Sequence, residues 1–282
     1  MTILCLFVRH GTTKYADALG VLDAWYDTQG LRANRLLWII DNALPPGTPP
    51  QRLAPDVVLR AGDNSAWEFS AWAQALREAR AEGVACELVH CVTSAFNTLY
   101  TGYLRHFFAD APRLVLERRL CLGHIDTYDR PVEFGGRVSA SWVRTCFFFL
   151  PAAAAWRLEP WAAYRDPALF FVSPDAKQFR PEAPLSADYQ RRIRDWLEGQ
   201  EAGGFTWHSP VGATPAEVSR FQRKTLAILN EHSFAVTLRA AGLTLVDFCW
   251  LYTTQRRSTG PSPAIPDEQA QIAVRSRVLA NS

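Results

Sequence analysis

The chain reads as an α/β protein with a central, mostly parallel sheet, flanking helices and a helical carboxy-terminal extension. Three observations predict this. Short apolar runs alternate with amphipathic stretches through the first half, the pattern that builds parallel sheets from βαβ units. Three of those runs stop on polar turns, at Asp41-Asn42, Gly62-Asp63-Asn64-Ser65 and Thr93-Ser94-Ala95. Ligands of open α/β sheets lie beyond the carboxyl ends of the strands, so such turns are where a site is expected. From about Phe171 onward the alternation gives way to two helices with clear capping signals.

Taken in order, Thr2 to Val8 is a buried first strand, followed by the turn His10-Gly11-Thr12-Thr13. Thr12 or Thr13 caps a helix from Lys14 to Thr28, whose Ala16, Leu19, Leu22, Ala24 and Trp25 follow helical spacing, and Gly30 closes it. Leu36 to Ile40 is the second strand, and the proline-rich stretch from Pro45 to Pro55 is an extended loop. Val57 to Arg60 is a strand, Ala66 to Ala81 a helix and Glu87 to Val92 a strand. Leu99 to Phe108 reads as helix and Leu114 to Leu116 as a short strand. Cys121 to Ser139 is rich in Gly and charge, which suggests loops or an antiparallel edge. Ser141 to Leu150 is apolar after Arg144 and leads into an alanine-rich helix, Ala152 to Leu158. Ser186 caps a helix from Ala187 to Glu198; Thr214-Pro215-Ala216-Glu217 sets a cap, an N1 proline and an acid at N3 for a second helix running to about Ser233. The expected organisation is an α/β unit over 1–170, a helical extension over 171–254 packed on it, and a flexible tail over 255–282, with a helix from Asp267 to Leu279 inside it.

Composition narrows the class. At 282 residues with 48% hydrophobic content, ten Trp and sixteen Phe, the chain is globular and can bury a large core. A net charge of +2 argues against nucleic acid as a partner. The six cysteines show no CxxC and mostly sit in apolar runs, which fits a reducing, cytoplasmic setting. No run approaches the ~18 apolar residues needed to span a bilayer. The basic stretch Arg191-Arg192-Ile193-Arg194 is the candidate for peripheral contact with the cytoplasmic membrane, against the plainer reading of a solvated helix face.

The strand endings resemble the nucleotide-binding half of family-2-type glycosyltransferases of GT-A (Rossmann-like) fold, including the rhamnan-synthesis type of bacterial surface-polysaccharide assembly. Ile39-Ile40-Asp41-Asn42-Ala43 looks like the family strand that ends on Val-Asp-Asn-Ala-Ser, and Gly62-Asp63-Asn64-Ser65 with Phe69-Ser70-Ala71-Trp72 is similar to its Asn-x-Gly turn and helix. Ser141-Trp142-Val143-Arg144-Thr145-Cys146-Phe147-Phe148 resembles elements beneath the acceptor side. The resemblance covers roughly residues 1–165 and rests on the order of motifs that are each weakly specific. It implies transfer of a sugar from a nucleotide-sugar donor to a glycan or lipid-linked acceptor in polysaccharide or lipopolysaccharide biosynthesis.

On that resemblance Arg9, His10, Asp41, Asn42, Asp63, Asn64, Ser94 and Arg144 are the donor-binding candidates. The arginines suit a diphosphate because a guanidinium grips phosphate through parallel hydrogen bonds. Sugar transfer with inversion needs a group that takes the acceptor hydroxyl proton. Asp126 with His124, in Gly123-His124-Ile125-Asp126, is the first candidate and Glu68 the second. Trp67 and Phe69 flank Glu68, which suggests a partly buried setting suited to proton transfer. Metal-dependent members hold Mg or Mn through carboxylates at the fourth strand ending. Here that ending is Thr93-Ser94-Ala95, so the acidic pair is absent and no metal ligand is assigned.

Two alternatives stand beside this reading. Phe7-Val8-Arg9-His10-Gly11-Thr12-Thr13 looks like the Arg-His-Gly signature of histidine phosphatases, with His10 as nucleophile and Arg9 as phosphate clamp. That mechanism also needs a second Arg, an acid and a second His at later strand ends, and the sequence does not show their usual contexts. The other alternative is a non-catalytic GT-A-like subunit of a polysaccharide assembly complex.

Overall fold

The protein is described here from a computed structural model that covers residues 1–99, 104–200, 209–257 and 264–280. Its strands are β1 (Ile3–Arg9), β2 (Arg35–Asp41), β3 (Gln51–Ala54), β4 (Val57–Ala61), β5 (Leu88–Thr93), β6 (Leu120–Phe134), β7 (Arg137–Pro151) and β8 (Thr244–Asp247). Its helices are α1 (Ala18–Thr28), α2 (Trp67–Ala81), α3 (Phe96–Leu99), α4 (Ala111–Arg118), α5 (Ala152–Ala155), α6 (Ala187–Leu197), α7 (Pro215–Ala240), α8 (Phe248–Arg257) and α9 (Glu268–Ala280).

All eight strands form one sheet in the order β3-β4-β2-β1-β5-β7-β6-β8. Strands β4, β2, β1 and β5 run parallel, and β8 runs parallel to β6. Only β3 at one edge and β7 between β5 and β6 reverse direction. The expected fold class, a mostly parallel α/β sheet flanked by helices, is the one the chain adopts.

Helices cover both faces because the parallel strands are apolar on both. Towards α2, α5 and α7 lie Leu6, Ile40, Cys91, Phe148 and Leu150, packed against Trp72 and Phe234. Trp72 is fully buried and donates its indole N–H to the Leu6 carbonyl at 3.1 Å, so its one polar atom is satisfied. Towards α1, α4 and α8 lie Phe7, Ile39, Leu88, Phe147 and Phe149 with Tyr26, Val115 and Trp250. A third cluster joins Val132 and Phe134 of the β6–β7 hairpin to Tyr189, Phe221 and Leu229 of α6 and α7.

Several local expectations are revised. Leu114 to Leu116 is helical, inside α4, because Pro112 sits in the first turn and Arg113 pairs with Glu117 at i,i+4, 2.7 Å apart. The stretch Cys121 to Ser139 holds most of β6, which is antiparallel to β7 as one of its two readings had it, but lies in the interior of the sheet and not at its edge. Its turn, Gly135-Gly136, has both residues at positive φ, which glycine adopts without a Cβ clash. The proline-rich loop contains β3. The helix expected from Leu99 to Phe108 is instead α3 and a 3-10 turn at Leu104–His106, on either side of residues outside those described.

The 171–254 stretch contributes α6 and α7 and also a strand, β8, which extends the sheet beyond β6. Helix α6 is capped by Ser186, and the Thr214/Glu217 capping box of α7 is complete. Helix α7 runs on past Ser233 to Ala240, because the next apolar residues, Phe234, Ala235 and Leu238, continue the buried face. Within the stretch expected as a flexible tail, α9 docks on the sheet edge through two buried polar residues, Gln271 and Arg275. Among the described residues no helix is long and apolar enough to cross a membrane.

Candidate functional site

The four parallel strands end level with one another. Arg9 of β1 pairs with Asp41 of β2, Asp41 with Ala61 of β4, and Val8 with Thr93 of β5. The chain leaves β1 for β2 on one side and β5 flanks the other, so the topological switch point lies between β1 and β5. The crevice outside such a switch point is where open α/β sheets take ligands. Arg9, His10 and Ser94 stand at its two lips, with Asp41, Asn42, Asp63 and Asn64 on the neighbouring endings. The Ser94 amide donates to the Val8 carbonyl at 2.9 Å, which fixes the β5 ending against β1.

Asp41 ties two endings together. It is buried, and its Oδ1 accepts the amides of Gly11 at 2.8 Å and Ala43 at 3.0 Å, while Oδ2 accepts Arg9 Nε at 2.7 Å. Burial works to raise its pKa, but the two amides and the guanidinium outweigh it and hold the carboxyl below its ordinary range. With both oxygens engaged inside the protein, Asp41 orients Arg9. The outer nitrogens of Arg9, Nη1 and Nη2, have no hydrogen-bond partner among the described residues. His10 is exposed beside it.

The β4 ending forms a tight polar turn. Gly62 packs so closely that an added Cβ would stand 2.0 Å from Asn42 Oδ1 and 2.9 Å from Ile40 Cγ2. Asn42 Nδ2 donates to Asn64 Oδ1 at 3.2 Å and to the Trp67 carbonyl at 3.4 Å, linking the β2 and β4 endings. Asp63 accepts the Ser65 amide at 2.9 Å, an Asx turn, and faces Arg165 at 3.4 Å. None of these side chains caps α2: Ser70 accepts the Ala66 amide from within the helix. Asn64 and Ser65 remain exposed. Trp67 opens α2 at φ +56°, an uncommon conformation for a bulky residue, with Lys224 Nζ 4.8 Å from its ring centroid.

On the other side of β5, the β6–β7 hairpin carries the remaining candidates. The β6–β7 register shifts between Gly123 and Ile125, at His124. Such irregularities re-aim a side chain. His124 Nε2 lies 3.3 Å from Asp126 Oδ1, and Arg144 Nε on β7 donates to Asp126 Oδ2. Arg275 of α9 reaches the same carboxylate at 3.4 Å, the Ile125 carbonyl, and Asp247 Oδ2 at 2.5 Å. Burial raises the Asp126 pKa, yet His124 and the Arg144 charge more than reverse this and hold it far below the usual carboxylate range. Burial pushes the His124 imidazole down, with Asp126 opposing. Both oxygens of Asp126 are thus engaged, Oδ1 by His124 and Arg275 and Oδ2 by Arg144.

Glu68, the second candidate, is half-buried in the first turn of α2 and stands 3.2 Å from the Thr145 hydroxyl. Thr145 also holds Glu231 of α7, which the sequence reading missed: its amide and hydroxyl lie 2.8 and 3.1 Å from Glu231 Oε1. The available signal was the polar run Asn230-Glu231-His232-Ser233 inside an apolar helix. Trp142, Tyr128 and His232 cluster nearby, with the Trp142 ring tilted 4.4 Å from His232 and 4.7 Å from Tyr128, and Tyr128 edge-on to His232.

Other charged groups are committed elsewhere. Arg60, near the β4 ending, lies over Trp38 and pairs with Glu78 and Glu82 of α2. Arg191 and Arg192 pair with Asp188, and Arg192 also with Asp129, which offsets the positive face proposed for a membrane. Three further histidines are engaged in the core or the hairpin, His90 with Tyr26 at 2.7 Å, His232 with Tyr189, and His124 with Asp126, and His106 is buried beside Tyr252. His208 lies outside the described residues.

The donor set at the β5 ending does not fit a divalent cation. Thr93, Ser94 and Ala95 offer no carboxylate, and among the described residues no group of three or more His, Cys, Asp or Glu is placed to hold a metal. A hard cation at a diphosphate prefers carboxylate oxygens.

No family model and no curated protein matches the chain. Among solved structures it is similar to a crystal structure of 4-diphosphocytidyl-2C-methyl-D-erythritol synthase, at 13% identity and a TM-score of 0.37, over 58% of this chain and 80% of that one. That likeness is too distant to bear on function.

Proposed function

We propose that the protein is a glycosyltransferase that moves a sugar from a nucleotide-sugar donor to a glycan or lipid-linked acceptor in bacterial surface-polysaccharide assembly, without a carboxylate-held metal at the β5 ending. The observation that carries this reading is Arg9, at the lip of the switch point: Asp41 fixes its Nε, and its outer nitrogens have no partner among the described residues. A guanidinium held in that way presents a planar pair of donors to a diphosphate without further ordering.

In this reading Asn42, Asp63 and Asn64 line the nucleoside side, and Ser94 and His10 stand by the diphosphate. Arg144, positioned by Asp126, approaches from the hairpin, where the acceptor enters over Trp142. The phosphates are then neutralised by arginine side chains, which stabilise the charge that develops on the leaving nucleoside diphosphate.

The test is a thermal-shift and calorimetric panel of nucleoside diphosphates and sugar nucleotides, run with and without Mg or Mn. A ligand that binds only the folded form raises its stability. Stabilisation by one nucleotide series, lost in Arg9→Ala and unchanged by chelator, supports the reading. No shift with any nucleotide overturns it. Binding without consumption of any donor would favour a non-catalytic subunit of the same fold, a role that the locked state of Asp126 also accommodates.

A further inference from the structure

The proposed transfer needs a group to take the acceptor's proton, and Asp126 is held too tightly to serve. The same sheet edge offers another. Glu231 and Glu68 arrive from different helices, α7 and α2, and meet at one residue, Thr145 of β7. Thr145 lies two residues before Phe147, which faces Val92 of β5, so the meeting point sits beside the β5 ending, across that strand from Arg9.

The two carboxylates are held differently. Glu231 is anchored through Oε1 alone, by the Thr145 amide and hydroxyl, and its Oε2 has no hydrogen-bond partner among the described residues. The residue as a whole is half-buried. Glu68 shares the Thr145 hydroxyl, 3.2 Å away. One hydroxyl has one proton to donate, so it cannot serve both carboxylates when both are ionised. A carboxylate fixed by one oxygen keeps the other as the atom that can accept a proton.

We infer that Glu231 takes the acceptor hydroxyl proton during sugar transfer, and that Glu68 is a positioning residue acting on it through Thr145. The inference rests on the sugar-nucleotide reading. In the step, the acceptor oxygen forms a bond to the anomeric carbon and its proton passes to Glu231 Oε2. The bond from that carbon to the diphosphate oxygen breaks, and the electron pair leaves with the nucleoside diphosphate. Donor and acceptor alone are consumed. Burial pushes the Glu231 carboxyl up to about 7; the Glu68 charge adds to this, while the Thr145 hydrogen bonds and Lys224 oppose it. The other titratable groups facing it are Tyr128 of β6 and Tyr189 of α6. A base with that value is well matched to neutral pH.

The experiment uses the full chain with two independent readouts. The first is a carbon-13 NMR titration of labelled glutamate carboxyls. One carboxyl is expected to titrate near neutrality, to vanish in Glu231→Gln and to move to lower pH in Glu68→Gln. If every glutamate titrates in the ordinary range, the inference is overturned whatever the chemistry. The second is donor consumption against pH, alongside nucleoside diphosphate binding by calorimetry. Glu231→Gln should lower kcat by about 100-fold or more while leaving donor KM and nucleotide binding within about threefold. Glu68→Gln should shift the acidic limb of the pH profile downward. Turnover within threefold of wild type in a folded Glu231→Gln protein overturns the inference alone. A wild type that binds no nucleotide overturns the sugar-nucleotide reading, and this role with it.

Discussion

Arg275 of the carboxy-terminal helix and Asp247 at the end of β8 form an ion pair at 2.5 Å, with the aspartate side chain 1% exposed. The pair does two jobs. It docks α9 on the sheet edge, and through the second guanidinium nitrogen of Arg275 it reaches Asp126, which in turn orients Arg144.

Arg275→Met should therefore be costly. It leaves Asp247 buried without its cation, for which a loss of about 3 kcal/mol is expected. Urea denaturation would read this as a lower midpoint at unchanged slope. The double variant Asp247→Asn with Arg275→Met should recover part of the loss, since neither charge is then stranded.

Asp126 should behave as a structural carboxylate. Its folded pKa is depressed below the ordinary value of 3.8, so its contribution to stability is present above that value and is lost as pH falls through the lower folded value. The stability gap between wild type and Asp126→Asn should be full at pH 7, still nearly full at pH 5, and shrink below about pH 4. A gap that grows on acidification would reverse the assignment.

Glu231 has the opposite sign. Its carboxyl rises from 4.5 to about 7 on folding, so it favours the folded state below the unfolded value, and this advantage is lost as pH rises towards 7. Denaturation at pH 5 and pH 8 should show Glu231→Gln gaining stability relative to wild type at the higher pH. On the midpoint scale the expected change is on the order of a few °C.

Arg9→Ala should weaken nucleoside diphosphate binding by about 10- to 100-fold, the loss of one or two charge-assisted hydrogen bonds. Binding by the wild type should also weaken with salt, because the contact is between charges near the surface. Calorimetry at two ionic strengths would measure both effects.

Gly62→Ala tests the turn itself. The added methyl would stand 2.0 Å from Asn42 Oδ1, so Asn42 must move and release Asn64. A destabilisation of about 1–3 kcal/mol is expected, with weaker nucleotide binding than in wild type.

The parallel half of the fold is readable in the sequence because its strands are uniformly apolar and its turns carry Gly, Asp and Asn in βα order. The hairpin is not. Beyond Gly123 strand β6 is paired with β7 alone, so its outer residues alternate between the α6–α7 cluster and solvent, and its Gly and charge content resembles a loop. Leu114 to Leu116 misleads for a different reason: three apolar residues fit a strand or a helix, and only the flanking Pro112 and Glu117 distinguish them. At the site, the residues that end strands could be named, but their partners could not. Nothing local to Asp126 reveals Arg275, nearly 150 positions later, and Glu231 reads as an ordinary polar helix residue until Glu68 and Thr145 are brought against it.

The position of β8 has a consequence for how the protein is made. Strands β1, β2, β4 and β5 come from the first third of the chain and can pair as soon as it emerges from the ribosome. The outer edge of β6 has no such prompt neighbour: it waits more than a hundred residues for Thr244–Asp247. During translation that edge is an unpaired template for strand addition by other chains. A nascent or prematurely terminated product lacking β8 is therefore a natural client for chaperones, and truncations upstream of Thr244 should accumulate as aggregates even though the parallel half of the sheet is complete.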